Sequence, residues 1–186
     1  MFRVITCNTN GIRAAERKGF FRWLAKQRAD VVCIQEIKAK EVQLTDQAFY
    51  PKGYHCFYNE AERPGYAGTA VFAKHKPQRV ITRLDWDLVD SEGRYLQVDF
   101  PGLSVVSLYV PSGSASPIAQ GRKDGFMEPF YDHMAALRRK RREFIICADW
   151  NTCHQNIDLK NWRSNRKNSG FMPHEREWLD RIYEDL

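Results

Sequence analysis

The sequence predicts an α/β protein in which β-sheets are sandwiched between outer helices. The N-terminal third has the order of a βαβ unit, with an apolar run at residues 3–7, a basic amphipathic stretch at 14–27 and a β-branched run at 31–34. Short apolar runs separated by turn residues then predict antiparallel strands at residues 54–58, 69–72, 79–82, 95–100 and 103–110. The last third predicts a helix at 117–142, a strand at 144–148 and a closing helix at 173–183.

Length and composition indicate one globular domain over residues 1–186, with 43% hydrophobic and 28% charged residues. The formal charge of +6 predicts a polyanionic partner, either nucleic acid or phospholipid, and composition does not choose between them. Five cysteines without a C-x-x-C pair predict reduced thiols. No run is long and apolar enough for a membrane span, and no signal sequence is visible, so we expect a cytoplasmic protein.

Carboxylate and amide residues follow three of the predicted strands. Asp149 and Asn151 come after the strand at 144–148. Because they are two residues apart, their side chains would point the same way if the strand geometry continues. Asn8 and Asn10 follow the first strand, and Glu36 closes the second. Because α/β folds place chemistry at the carboxyl ends of strands, this pattern favours a metal-dependent phosphodiester site with a proton acceptor beside neutral donors.

Each of these residues also has a purely structural interpretation. Glu36 alone could form a surface ion pair, although a lone carboxylate also suits Mg²⁺, which takes one or two carboxylates plus water and phosphate. Asn8 and Asn10 before Gly11 could form an Asx-turn that leads into the next helix. The joint occurrence of three such motifs in one chain favours a shared site.

Further polar residues could bind phosphate. Tyr109 ends a predicted strand, so its phenol could bind a phosphate oxygen or pack on the core. Arg13, Arg94 and the segment 161–168 supply cations, amides and an aromatic ring, a mixture that grips a phosphate backbone, although such loops also occur as ordinary soluble surface.

Two sequence features have a structural explanation that we favour. The basic run at 138–142 ends a predicted helix, where hydrated cations complement the helix dipole, with nonspecific nucleic-acid contact as the alternative. Cys153 and His154 are adjacent, but two residues do not make a zinc site.

Taken in order, the motifs resemble those of the exonuclease III family of apurinic/apyrimidinic (AP) endonucleases. They are Asn8-Thr9-Asn10-Gly11, Gln35-Glu36-Ile37-Lys38, Gly65-Tyr66-Ala67-Gly68, Tyr109-Val110-Pro111, Asp149-Trp150-Asn151, His154-Gln155-Asn156-Ile157-Asp158 and Lys167-Asn168-Ser169-Gly170-Phe171. The resemblance implies a four-layer α/β sandwich of two mixed sheets flanked by helices. It also implies a Mg²⁺-dependent hydrolase, with Mn²⁺ as a substitute, that nicks DNA 5′ to an abasic site and has exonuclease or 3′-end-trimming activity.

Site roles follow from the same resemblance. Glu36 would hold the metal with support from Asn8 and Asn10, Asp149 would take the proton from the attacking water, and Asn151 and Tyr109 would steady the phosphate. The positions similar to DNA contacts in the family are Arg13, Gly65, Tyr66, Asn165, Lys167 and Asn168, and we add Arg94 for its charge. The expected partner is double-stranded DNA with abasic sites or 3′ ends. We expect the protein to act as a monomer and not to bind a membrane.

The chain departs from the family at its end. The family continues past a helix like the one at 173–183 into further strands and a catalytic Asp-His motif, so the resemblance implies a C-terminally truncated chain with an incomplete second sheet. We expect the functional protein to be longer. Two alternatives remain: a noncatalytic nucleic-acid-binding regulator on the same fold, and a phosphoesterase that acts on phospholipid or inositol phosphates.

Overall fold

Two mixed four-stranded sheets organise the computed structural model, which describes residues 1–185. The first sheet has the order β1-β2-β4-β3, with β1 at Val4–Asn8, β2 at Val31–Gln35, β3 at His55–Asn59 and β4 at Thr69–Ala73. The second has the order β5-β6-β7-β8, with β5 at Arg79–Ile81, β6 at Tyr95–Phe100, β7 at Leu103–Tyr109 and β8 at Glu143–Asp149. The predicted α/β class with two mixed sheets is confirmed. Within the described residues β8 forms an edge of its sheet, and the incompleteness of that sheet stays a prediction.

The helices are α1 at Ile12–Arg17, α2 at Phe20–Gln27, α3 at Asp87–Asp90, α4 at Pro117–Arg138, α5 at Trp162–Asn165 and α6 at Pro173–Asp185. Single 3₁₀ turns lie at Glu41–Gln43, Gln47–Phe49 and Asn156–Asp158. The predicted helix at 14–27 is two helices, because Gly19 adopts a φ of 87° in the left-handed region and ends the first one. No helix among the described residues is long and apolar enough to cross a membrane.

The chain divides into two compact units. The first contains Met1–Tyr109 and Arg142–Asp149 and holds both sheets, whereas the second contains Val110–Arg141 and the chain from Trp150 onwards. The interpretation of residues 1–186 as one domain stays a prediction.

In the first unit, β2 is buried along its whole length. Val32 and Ile34 pack on one face with Ile12 and Leu24 of the helices, and Cys33 packs on the other face with residues of the second sheet. Burial on both faces explains why the sequence of this strand is a continuous apolar run without alternation.

Parallel pairing of β1 with β2 and of β7 with β8 brings predicted site residues to the same ends of the strands. β1 runs parallel to β2 with Asn8 opposite Gln35, and β7 runs parallel to β8 with Tyr109 opposite Asp149. Gln35 also links the two sheets, because its Nε2 donates to the Ser107 hydroxyl at 3.1 Å and to the Cys147 carbonyl at 3.2 Å. The carboxyl ends of four strands therefore lie together.

Candidate active site

The side-chain amide of Asn8 is shared by two carboxylates. Its Nδ2 donates to Glu36 Oε1 at 2.8 Å and to Asp149 Oδ2 at 2.6 Å. A carboxamide nitrogen carries two hydrogens, so one residue serves both acids. The first unit thus brings together the ends of β1, β2 and β8, as the three strand-end motifs predict.

The turn after β1 fixes the direction of this amide. The Asn8 Oδ1 accepts the backbone N–H of Asn10 at 2.8 Å, which is an Asx-turn, and the Gly11 N–H donates to the Glu36 carbonyl at 2.7 Å. The backbones of Asn10 and Glu36 are left-handed, with φ of 45° and 54°. The Asx-turn and the shared site are therefore one arrangement, and strained residues of this kind cluster at functional sites.

Lys38 places a cation between two oxygen acceptors. Its Nζ lies 2.6 Å from Glu36 Oε2 and 2.6 Å from Asn10 Oδ1. Burial raises the pKa of Glu36, but hydrogen bonds from Asn8, Lys38 and Tyr109 outweigh it, so the net pKa lies below the usual value. Glu36 therefore stays ionised at neutral pH. Its ion pair with Lys38 is the purely structural role that the sequence also allows for this residue.

The donor set fits Mg²⁺. The position beside Glu36 and Asn10 already accommodates the Lys38 ammonium, and a carboxylate and an amide oxygen are hard ligands of the type that Mg²⁺ takes. The oxygen of Asn8 is held in its turn and its nitrogen faces the acids, so Asn8 orients the site in this arrangement. No group of three or more His, Cys, Asp or Glu side chains that could hold a metal occurs in residues 1–185.

Tyr109 lies on the same acids. Its hydroxyl donates to Glu36, and burial, followed by the negative charge of Glu36, raises the pKa of Tyr109, so the phenol keeps its proton. The side chain is 9% exposed. Tyr109 therefore packs in the core and its hydroxyl also reaches the acids of the site. Core packing and a place at the site, the two alternatives that the sequence leaves open, are compatible.

Arg94 holds Tyr109 from behind. Its side chain is 2% exposed, its Nη1 donates to the Tyr109 carbonyl at 2.9 Å, and its guanidinium lies 4.7 Å from the centre of the Tyr109 ring. Nε donates to Glu92 at 2.6 Å and Nη2 to the Tyr66 hydroxyl at 3.2 Å. The sequence predicts a DNA contact for Arg94, but in this placement it supports Tyr109, because a buried guanidinium does not present its charge to a phosphate backbone.

The other predicted DNA contacts of the first unit lie at its surface. Arg13 is exposed on α1, and Gly65 is exposed with a φ of 71°. Tyr66 is half-buried, with the Arg63 guanidinium 5.2 Å from its ring centre.

In the second unit, Asn151 has a left-handed backbone with a φ of 47°, and its Nδ2 donates to the Val110 carbonyl at 2.8 Å. Asn165, Lys167 and Asn168 line a groove of about 790 Å³ together with polar residues of α4 and its N-terminal approach. Asn168 donates to Asn165 Oδ1 at 2.9 Å. Lys167 is exposed beside these amides.

The basic run at 138–142 has structural contacts in both units. Arg142 donates to the Phe100 carbonyl at 2.7 Å and to the Leu103 carbonyl at 3.0 Å, and Arg138 bonds to the Asp185 carbonyl. Arg138 lies at the end of α4, but Arg142 lies outside the helix and bonds strand carbonyls, so the interpretation of the whole run as a hydrated helix end stays a prediction.

Sequence reasoning assigned no role to Lys38, Lys123 or Glu175. Lys38 follows Glu36 by two residues in the motif that ends β2, and this proximity to a carboxylate is the signal that could have indicated an ion pair. Lys123 lies three and seven residues before Phe126 and Phe130, on the apolar face of α4, and a charge on such a face is a signal of a buried pair.

A sequence profile of the endonuclease/exonuclease/phosphatase family matches residues 5–184. The chain belongs to this family. It is 36% identical over 183 residues to an exodeoxyribonuclease of Bacillus subtilis, covering 98% of this chain and 71% of the relative. It is 32% identical to the DNA repair nuclease APEX1 of Danio rerio, covering 98% of this chain and 59% of the relative. The predicted exonuclease III and AP endonuclease membership is confirmed, and the chain spans part of these relatives' length.

Solved structures share the fold. An AP endonuclease from Archaeoglobus fulgidus superposes with a TM-score of 0.86 at 23% identity, covering 99% of this chain and 70% of that one. A 3′ phosphatase from Neisseria, bound to a product DNA hairpin, gives a TM-score of 0.86 at 18% identity, covering 99% and 71%. These likenesses confirm the predicted fold class.

Proposed function

We propose that the protein to which this chain belongs is a Mg²⁺-dependent DNA repair phosphodiesterase that nicks the backbone 5′ to abasic sites and also trims 3′ ends. The observation that carries the proposal is the Asn8 nitrogen shared by Glu36 and Asp149, at 2.8 and 2.6 Å. Hydrolysis of a phosphodiester needs a proton acceptor for water and stabilisation of the charge that builds on phosphorus. The Asn8 amide holds Asp149 for the first of these tasks and Glu36, the proposed metal ligand, for the second.

Each residue then has one task. Asp149 accepts the proton of the attacking water, and Asn8 keeps the Asp149 carboxylate oriented towards it. A Mg²⁺ ion, held by Glu36 and Asn10, supplies Lewis-acid stabilisation of phosphate charge when bound. The Tyr109 hydroxyl keeps its proton because its pKa is raised, and when substrate binds it donates that proton's hydrogen bond to a phosphate oxygen in place of Glu36. The Asn151 amide steadies the phosphate as a second neutral donor.

The proposed substrate is double-stranded DNA with an abasic site or a 3′ end. The formal charge of +6 and the exposed Arg13 and Lys167 suit a polyanion, and the names of the Bacillus and Danio relatives support DNA over phospholipid. We also propose that the protein acts as a monomer, in the bacterial cytoplasm where the chromosome lies.

The test uses the complete protein as its own cell produces it. A duplex with one abasic site is incubated with Mg²⁺, with Mn²⁺ or with a chelator, beside an intact duplex and an inositol phosphate substrate. We expect a single nick 5′ to the lesion with either metal and none with the chelator. Equal cleavage with and without chelator would refute the metal role, and faster turnover of the inositol phosphate would refute the DNA assignment.

Asp149→Asn removes the proton acceptor and keeps the shape of the side chain. We expect kcat to fall by about 10³-fold or more while Kd for DNA stays within about threefold, because the change removes a base and leaves the phosphate contacts. The matched control is Asp132→Asn, the same charge change on an exposed part of α4. Steep salt-dependent binding without nicking in the unchanged protein would favour the noncatalytic regulator.

A further inference from the structure

A fully buried ion pair joins the two long helices of the second unit. Lys123 of α4 and Glu175 of α6 each have 0% side-chain exposure, and Lys123 Nζ lies 2.7 Å from Glu175 Oε1. Glu175 also accepts from the Met172 N–H at 2.9 Å and from Gln120 Nε2 at 3.2 Å. The carboxylate is therefore held by three groups and fixes the ammonium in turn.

The ammonium also donates to the backbone of Asn151. Lys123 Nζ lies 2.7 Å from the Asn151 carbonyl oxygen. On another side of that oxygen stands Gly170, where an added Cβ would come within 3.1 Å of it. The carbonyl is thus confined between a charged donor and a residue without a side chain.

Asn151 needs such confinement because of its backbone. Its φ of 47° lies in the left-handed region, which costs free energy for a residue with a side chain. The orientation of this carbonyl group fixes the backbone torsion ψ of Asn151. The hydrogen bond from Asn151 Nδ2 to the Val110 carbonyl fixes the plane of the side-chain amide. A donor on the carbonyl therefore sets the direction of the side chain indirectly.

Helix packing alone does not require this pair. A buried ion pair costs desolvation, and well-packed apolar residues of similar volume often give equal or greater stability. The contact that apolar residues could not replace is the hydrogen bond to the Asn151 carbonyl.

We propose that Lys123, fixed by Glu175, is a positioning residue that holds Asn151 in the conformation needed at the scissile phosphate. The proposal rests on the proposed function for the role of Asn151. Lys123 and Glu175 act through Asn151 and do not themselves contact the reacting atoms.

The test compares three variants of the complete protein. Lys123→Met removes the donor and leaves a buried carboxylate, whereas Lys123→Met combined with Glu175→Gln removes both charges and keeps an oxygen for the Met172 N–H. Phe130→Leu, also on α4 and away from Asn151, serves as the control for loss of packing. The measurements are the urea midpoint, kcat and KM for nicking, and the side-chain amide signals of Asn151 in protein labelled with ¹⁵N-asparagine.

We expect kcat to fall by about 30-fold in both Lys123 variants, somewhat below the loss of a whole charge-stabilising donor, with KM within about threefold. The double variant should recover most of the urea midpoint but not kcat. The Asn151 signals should shift in both variants and stay unchanged in Phe130→Leu. In an Asn151→Ala background, Lys123→Met should lower kcat by less than about threefold, because coupled residues are not additive.

Recovery of kcat together with stability in the double variant, or unshifted Asn151 signals, would overturn the proposal. A wild-type kcat in Asn151→Ala would instead count against the role that the proposed function gives to Asn151. The amide signals then decide by themselves whether Lys123 positions this residue.

Discussion

Replacement of Lys123 by Met should destabilise the protein strongly. The change leaves the Glu175 carboxylate at 0% exposure with only the Met172 N–H and the Gln120 amide as donors. Breaking a buried pair by removing one partner costs about 3–5 kcal/mol, which lowers the equilibrium constant for folding by about 10²- to 4 × 10³-fold. With a urea m-value of about 2 kcal/mol/M, the midpoint should fall by about 1.5–2.5 M.

The assay is urea unfolding followed by circular dichroism and by tryptophan fluorescence, so that agreement between the two probes checks two-state behaviour. The matched control is Arg181→Met, which breaks a second pair between the same helices. Arg181 lies 2.6 Å from Glu128, but the two side chains are 44% and 61% exposed, so water screens the pair and its loss should matter little. A midpoint shift for Lys123→Met no larger than that of the control would refute the argument from burial.

Three further changes test the first unit. Lys38→Met removes the ammonium 2.6 Å from Glu36 and should raise the pKa of Glu36 towards its usual value of 4.5. The stabilisation that the lowered pKa confers is present above about pH 4.5 and is lost as the pH falls through the folded-state pKa. In the variant, carboxyl NMR should therefore show a higher titration midpoint for Glu36, and the free energy of unfolding should depend less on pH between about 3 and 6. An unchanged Glu36 titration would contradict this. Arg94→Lys should lower kcat by about tenfold with little change in Kd, because an ammonium cannot replace the guanidinium that bonds and stacks on Tyr109; a rise in Kd with kcat unchanged would favour the DNA contact. Asn8→Asp should move the acidic limb of the pH–rate profile upwards, since a third carboxylate beside the two existing ones disfavours their ionised forms, and an unmoved limb would count against the shared amide.

Local pattern predicted most of the elements. The strand at residues 95–100 is observed with the same bounds, and the other strands differ by one or two residues at their ends. The predicted helix at 14–27 failed only at Gly19, because helical periodicity on either side of a glycine does not reveal that its φ is left-handed. The end of α4 at Arg138, short of the predicted 142, leaves Arg142 to bond strand carbonyls.

The sequence by itself determined the chemical types at each strand end and their order. Asn8, Glu36 and Asp149 follow apolar runs, and periodicity alone places such residues where strands leave the core. A strand-end position on an α/β sheet is enough to predict a site there.

Only the tertiary structure decided the partners. Asn8 and Asp149 are 141 residues apart, and their hydrogen bond depends on the parallel register of β1 with β2 and of β7 with β8. Tertiary packing also decided that Arg94 and Lys123 are buried and donate to the carbonyls of Tyr109 and Asn151. The hydrophobic pattern indicates which face of an element is buried. The partner of a buried charged side chain lies on another element, so the pattern of one element does not reveal it.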